Sequence, residues 1–397
     1  MPIQVAVICP GQFAAATERT SSVERVAHEV GRRLPERFRV SIFSRRTYGA
    51  DAVAHAHPAV HYRIRAASRT QYIRLVMSSL AVSPPDIIHI ENRPFTAGLI
   101  RHRFPRIPLI LSLHSTTFVN PRIYGKRQLQ ACFDQVDRIV VNSEYLARWL
   151  KSRFVIPPHK LHVCRPGVDA DAFASKFVRA GREQGEALRE ELGYEHKKII
   201  LYMGRLVPIK GVHHLLAALP DVLAEHNDAV LVICGSARVG SDRLTPYVRR
   251  LHKLGNTMPQ HVRFVPFVPY SAAPAWYQAA DVVAVPSARE EAFGLVNAEA
   301  LACGTPVVAT RAGGIMEIVR HEENGLLVDP AHMKRELARS LCRLLRDKQL
   351  RERLGRQGAE MVRRHFTWEN AAASYAELYD HCMQAISYAR GRSIFGG

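Results

Sequence analysis

A chain of 397 residues, 47% hydrophobic and 23% charged, is too long for one ordinary core and comfortable as two domains. Its composition excludes low-complexity, collagen-like and solenoid architectures, and its longest apolar runs, such as Ile3–Pro10 and Asp281–Pro286, fall far short of the roughly 20 residues that span a bilayer. The net charge is +19, and 25 Lys and Arg against 10 Asp and Glu leave +15 on residues 1–168.

The N-terminus, MPIQVAVICPGQF, has no basic n-region and starts its apolar run too early for a signal peptide, so it reads as a first buried strand. Strand-like runs then follow as RVSIFS (39–44), VHYRI (60–64), DIIHIE (86–91), LILSLHS (109–115), RIVVNS (138–143) and LHVCRPG (161–167). Amphipathic stretches such as SVERVAHEVGRRL and SEYLARWLKSRF separate them. A second series runs KIILYMGR (198–205), AVLVICGS (229–236), VRFVPFV (262–268), DVVAVPS (281–287) and TPVVAT (305–310), again with helical patterns between. Continuous apolar strands alternating with helices predict parallel sheets covered on both faces, hence doubly wound α/β.

Two such series predict two Rossmann-like domains, at 1–168 and 190–371. The break is expected after PGVDADAF (166–173), in the polar, strand-free segment 176–198. The helical, aromatic-rich end of the chain, 372–397, is expected to pack back on the first domain.

Seven scattered cysteines without a CxxC pair suit reduced, mostly buried thiols of a cytoplasmic protein. The basic first half is either a solvated surface or an attractor of anions. No basic helix of regular spacing and no aromatic nucleic-acid cluster accompanies it. Among specific partners, an anionic membrane face or an acidic acceptor is therefore favoured over nucleic acid.

Ligands of open α/β sheets bind beyond the carboxyl ends of the strands. Polar and glycine residues crowd there in both halves: Pro10–Gly11, Glu91–Asn92–Arg93, His114–Ser115, Asn142–Ser143, Gly204–Arg205, Gly235–Ser236, Ser287–Glu291 and Gly313–Gly314. This pattern predicts a cleft between two facing domains. In GRLVPIKG (204–211), Arg205 and Lys210 can reach one anion, the former as a planar fork and the latter as a point charge, or can be two solvated cations.

In EEAFGLVNAE, a helix starting near Phe293–Gly294 would offer free N–H groups to an anion, with Glu291 before it and Glu299 one to two turns inside. The alternative makes Glu290 and Glu291 complements of the helix dipole and Glu299 a surface residue. Gly313–Gly314 permits a tight turn against a ligand or a neighbouring backbone. His114 is either a catalytic-site group or a hydrogen-bonded structural histidine. The DAD at 169–171 has the form of a metal-binding motif but stands without another nearby carboxylate and reads as turn and cap chemistry.

The ordered series PGVD (166–169), GRLVPIKG (204–211), the run from ADVVAVPS to AGG with FGLVNAEALACGTPVVAT at its centre (280–314), and ENGLLVDP (323–330) resembles the family 4 glycosyltransferases. That resemblance implies the GT-B fold, two Rossmann-like domains with the active site between them. It implies retaining transfer from a nucleotide-diphosphate sugar, UDP-sugar favoured, to a glycan, a lipid-linked or a small-molecule acceptor, with no metal and no other cofactor.

It also assigns roles by position. Arg205 and Lys210 match the cationic pair on the donor pyrophosphate, with Gly204 beside them. Glu291 matches the acid on the transferred sugar and Glu299 the acid on the ribose. The amides of Phe293, Gly294 and Leu295 match backbone contacts to sugar and phosphate, and Val268 lies in the segment that contacts the base. His114 matches the first-domain histidine next to the sugar. Ser21–Ser22 stand where the family often carries Gly-Gly near the donor phosphate. The first-domain runs DIIHIENRPF, LILSLHS and VDRIVVNSEYL are similar to the spore-coat-associated branch. The contrasting expectation is a non-catalytic GT-B protein that binds sugar or nucleotide.

Overall fold

The computed structural model describes residues 1–18, 20–46, 53–56, 59–237 and 244–394, without side-chain detail at 53–56 and 386–394. The chain divides into one unit of Met1–Pro166 with Trp368–Gly397 and a second of Gly167–Thr367. The division thus falls at 166/167 and 367/368, whereas the sequence pattern put the second domain at 190–371.

The first unit holds β1 (Ile3–Ile8), β2 (Phe38–Arg45), β3 (Val53–Ala56), β4 (Ala59–Ile64), β5 (Ile87–Glu91), β6 (Leu109–Leu113), β7 (Arg138–Val141) and β8 (Leu161–Val163). They form one sheet in the order β3-β4-β2-β1-β5-β6-β7-β8, parallel except for the antiparallel edge pair β3/β4. β5 and β6 are buried at every position, as strands covered on both faces must be.

The C-terminal helix, Trp368–Ile394, starts four residues earlier than expected. Trp368, Ala371, Tyr375 and Tyr379 enter the core formed by Val5, Val7, Val40 and Ile87. Each fully buried large apolar side chain contributes about 1.5–3 kcal/mol, so this helix is part of the unit's core. Two ion pairs, Arg33–Glu369 at 2.6 Å and Arg37–Asp380 at 2.8 Å, flank it.

The second unit holds β9 (Lys198–Met203), β10 (Ala229–Cys234), β11 (Val262–Val265), β12 (Val282–Val285), β13 (Val307–Thr310) and β14 (Gly325–Val328), all parallel, in the order β11-β10-β9-β12-β13-β14. Alternate side chains go to opposite faces. Ile200, Leu231, Ile233, Val282, Ala284 and Val308 join one core, while Ile199, Leu201, Val230, Val232, Val283 and Val307 join the other. This is the sheet with helices on both sides that the apolar runs require.

The segment read as an interdomain break contains a helix, Arg179–Leu192, inside the second unit. Its buried positions are Gly181 and Gly185. A Cβ on Gly185 would lie 2.9 Å from the backbone of Gln278, so the helix meets its neighbour largely through backbone, with Leu188 as its apolar contact to the core. No hydrophobic periodicity announces such a helix.

Candidate functional site

In both units the strand order reverses beside the first strand of the series, between β1 and β5 and between β9 and β12. The carboxyl ends at such a switch point are where a doubly wound sheet offers a crevice.

In the second unit the loops leaving β9, β12 and β13 close on one another. Gly204 has φ +150°, and its N–H donates to the Cys234 carbonyl at 3.0 Å. The Tyr202 hydroxyl donates to the Arg205 carbonyl at 2.9 Å. The Ala288 N–H donates to the Ile209 carbonyl at 2.8 Å, tying the β9 loop to the β12 loop. Gly211, at φ +72°, allows that approach, because a Cβ there would lie 1.8 Å from the Pro286 carbonyl oxygen. From β13, Thr310 Oγ1 donates to the Ser287 carbonyl at 2.7 Å, and the Gly314 N–H donates to the Glu291 carbonyl at 2.7 Å. The Gly-Gly pair therefore packs on neighbouring backbone: a Cβ on Gly314 would sit 2.1 Å from the Ala292 carbonyl oxygen.

This stitching brings the half-buried Lys210 ammonium onto Glu291 Oε2, with Ser287 Oγ 3.3 Å from the same oxygen. The resemblance assigns Lys210 to the donor pyrophosphate and Glu291 to the transferred sugar; the fold makes the two an ion pair. Arg205 is exposed, and among the described residues its guanidinium has no acidic partner. One cation is thus anchored and the other is free to turn toward an anion.

After Glu291 the chain passes the buried Phe293, whose ring lies 5.8 Å from Phe366, and turns at Gly294 with φ +90°. The helix Leu295–Ala302 begins there without a side-chain cap. Its first N–H groups lack intrahelical partners and carry the positive end of the dipole, which suits an anion.

Glu299 lies in this helix and is 8% exposed, so it is not a surface residue. The Tyr277 hydroxyl donates to its Oε2 at 2.8 Å, and burial together with Glu299 holds the Tyr277 phenol well above its ordinary range. Val268 follows β11, half-buried against the core.

In the first unit, Glu91 ends β5 at 2% exposure and accepts from His114 Nε2 at 2.7 Å. Burial raises the Glu91 carboxyl, but attraction and hydrogen bonding to His114, with a smaller contribution from His89, leave it below the ordinary 4.5. His89 is held neutral by burial between Tyr379 at 2.8 Å and Ser112 at 2.6 Å. Asn92, with φ +55°, accepts the His114 N–H on Oδ1 at 3.3 Å, and Asn142 Nδ2 donates to the His114 carbonyl at 3.2 Å. His114 is therefore a fixed, half-buried group.

Because the folded value of Glu91 is depressed, its contribution to stability is complete above about pH 4.5 and lost as pH falls through the folded value. Glu91→Gln is expected to flatten the acid limb of the stability profile of the full chain, measured by urea unfolding between pH 3 and 6. An unchanged acid limb would show that the pair does not govern it.

Ser21 caps the helix Ser22–Gly31: its Oγ accepts from the Val23 N–H at 3.3 Å and contacts Glu24 Oε2. Ser-x-x-Glu has the spacing of a capping box, and here the cap and the Glu24 carboxylate together engage the Ser21 hydroxyl, a group otherwise suited to a phosphate. Ser22 is exposed as the first helical residue. Glu91, Asn92 and Asn142 stood among the strand-end residues without a role. Glu24 and Tyr277, both fully buried, carry no role in the motifs, although Ser-x-x-Glu spacing marks Glu24 as a partner of the helix cap.

Asp169 Oδ1 accepts from the backbone of Asp171 and Ala172 at 3.3 and 3.1 Å, which is turn chemistry. All seven cysteines are free and buried. No described helix is long and apolar enough to cross a membrane.

Comparison with known proteins gives the family and the fold. The family description Glycosyl transferases group 1 matches residues 184–361, and Glycosyltransferase Family 4 matches residues 23–172. Spore coat protein SA of Bacillus subtilis is 30% identical over 95% of this chain and 99% of its own. Sucrose-phosphate synthase of Thermosynechococcus elongatus superposes with a TM-score of 0.81 at 23% identity, over 96% of this chain and 100% of the other. The HepE protein of Anabaena, solved in complex with UDP and glucose, gives 0.76 at 22% identity, over 95% and 99%.

Proposed function

The chain belongs to the family 4 glycosyltransferases, and from that premise we propose that it transfers a sugar from a UDP-sugar, with retention, to a glycan, glycolipid or small-molecule acceptor. The observation that carries the reading is the closure of the β9, β12 and β13 loops around Lys210, Glu291 and an uncapped helix N-terminus, with Arg205 free beside them.

On this reading Arg205, Lys210 and the amides of Phe293–Leu295 stabilise charge developing on the departing diphosphate. They supply the role a metal would otherwise fill, so no metal is required. Glu299, oriented by Tyr277, accepts from the ribose hydroxyls. Glu291 positions the transferred sugar, and the first unit, in which Glu91 fixes His114, receives the acceptor. That UDP and glucose occupy HepE supports the donor class.

A thermal-shift series with UDP, GDP and ADP on the full chain tests the donor. UDP is expected to raise the midpoint, by about 2.7 kcal/mol of stabilisation at 100 times Kd, and donor hydrolysis is expected to survive EDTA. No shift with any nucleotide would leave the second reading, a non-catalytic coat or binding protein. The name of the Bacillus relative and the engaged Ser21 hydroxyl favour that alternative.

The acceptor is expected at an anionic membrane face of the cytoplasm. Phe95, Leu99 and Ile123 are exposed, the Phe95 ring lies 5.4 Å from Tyr124, and Arg103, Arg122 and Lys126 are exposed nearby in sequence. The chain should sediment with vesicles containing anionic lipid and not with purely zwitterionic ones, and Phe95→Ser with Leu99→Ser should weaken that binding. No sedimentation with either vesicle type would remove the membrane from this picture, and equal sedimentation with both would remove its dependence on anionic lipid.

A further inference from the structure

The donor loops leave the carboxyl ends of β9, β12 and β13, but the second unit also has a cavity of about 440 Å³ at the other end of its sheet. Asp281, just before β12, and Gly304 and Pro306, just before β13, form part of its floor. A four-residue strand such as β12 spans roughly 13 Å, so the two regions are separated by the length of the sheet. The helices Arg179–Leu192 and Lys348–His365 supply the walls.

Six cations and three acids line this cavity, in a unit that is otherwise far less basic than the first. Part of that charge is consumed locally. Asp281 Oδ2 accepts from Arg189 at 2.7 Å and from the Ile199 N–H at 2.8 Å, and Arg351 lies 3.7 Å from its other oxygen. Arg189 and Arg351 also donate to backbone carbonyls. These three residues hold the strand starts together and are not available to a ligand.

The remaining cations are Lys176, Arg182, Lys348 and Arg356, against Glu186 and Glu352. Lys348 lies 3.9 Å from Glu352, an exposed pair of little strength. Arg356 stacks 4.0 Å over the Phe177 ring, which fixes the plane of its guanidinium, and among the described residues it has no carboxylate partner. Arg182 likewise has none. The half-buried Lys176 ammonium donates to the Ala280 carbonyl at 2.5 Å, and burial lowers it to about 8 against a partial pull upward from Asp281. A concave surface with an oriented guanidinium, a second unpaired guanidinium and a poorly compensated ammonium matches the oxygen geometry of phosphate groups.

We propose that this cavity is a second anion site of the nucleotide-binding unit, taking a compact phosphorylated small molecule with two or more negative charges at the amino edge of the sheet. It goes beyond the transfer reading and does not depend on it.

Inorganic pyrophosphate is the probe, titrated calorimetrically into the full chain carrying Arg205→Ala and Lys210→Ala. The donor loops have then lost their cations, so the result is independent of whether they bind a nucleotide sugar. At about 0.15 M salt, where exposed charges are screened beyond roughly 8 Å, one saturable site is expected. Adding Arg182→Glu and Arg356→Ala should weaken it at least about tenfold, as expected for lost charge-assisted contacts.

An unchanged melting midpoint reports an intact fold. Should uncovering Phe177 disturb the fold, Arg182→Glu with Lys348→Glu, both exposed, carries the same expectation. Absence of saturable binding, or a site of unchanged affinity in these variants, overturns the proposal.

Discussion

Glu291→Gln is expected to lower kcat by about 10²-fold or more while UDP affinity stays within about threefold of the parent. The fall is what misplacement of a reacting group by an ångström or so costs. The glutamine keeps the size of the side chain and an oxygen that can accept from Ser287 Oγ, but loses the charge that holds Lys210. If Glu291 positions the sugar, its loss leaves the cations free to bind diphosphate, and the damage falls on turnover. If Glu291 serves only to hold Lys210, then UDP binding weakens in proportion and turnover at saturation survives. Steady-state kinetics with the donor, combined with calorimetric UDP titration, separates the two, and unchanged turnover would refute the assignment.

The second large effect is structural. Gly211→Ala is expected to destabilise the chain by about 3 kcal/mol or more, measured as a lower urea midpoint with an unchanged slope. The added Cβ would lie 1.8 Å from the Pro286 carbonyl oxygen, and the residue has φ +72°. The left-handed conformation alone costs a non-glycine residue about 1–2 kcal/mol. The contact with backbone cannot be relieved by turning a side chain, so the β9 and β12 loops must separate and the Ala288–Ile209 hydrogen bond of 2.8 Å is strained. UDP binding should fall with stability, because separation of the loops moves Lys210 from Glu291. A midpoint within about 0.5 kcal/mol of the parent would mean that the loops are not held as tightly as their contacts imply.

These effects depend on contacts that sequence could propose only in part. The strands β9, β10, β12 and β13 were legible because a strand buried on both faces is a continuous apolar run. β14, within ENGLLVDP, does not announce itself as a strand, since a four-residue run gives little periodicity. β3 is a short antiparallel edge that carries even less signal. The helix Arg179–Leu192 has a linker-like sequence because glycines occupy its buried positions and Leu188 alone adds an apolar contact to the core. The serines at 21 and 22 suggest a phosphate loop, and the N-cap bond from Val23 to Ser21 Oγ shows how the same residue satisfies a helix terminus instead.

What the sequence determined by itself is the two-domain doubly wound class, the strand ends that matter, and membership of the family through the ordered motifs at 166–330. Side-chain periodicity is local, and a motif is a string, so both survive without coordinates. Only the tertiary structure decided the pairings. Lys210 and Glu291 are 81 residues apart, and Glu91 and His114 are 23 apart. They meet because β12 crosses back to lie beside β9, and because β6 lies beside β5. That neighbour order is set by which apolar faces the crossover helices cover, a long-range choice that no local run of residues records.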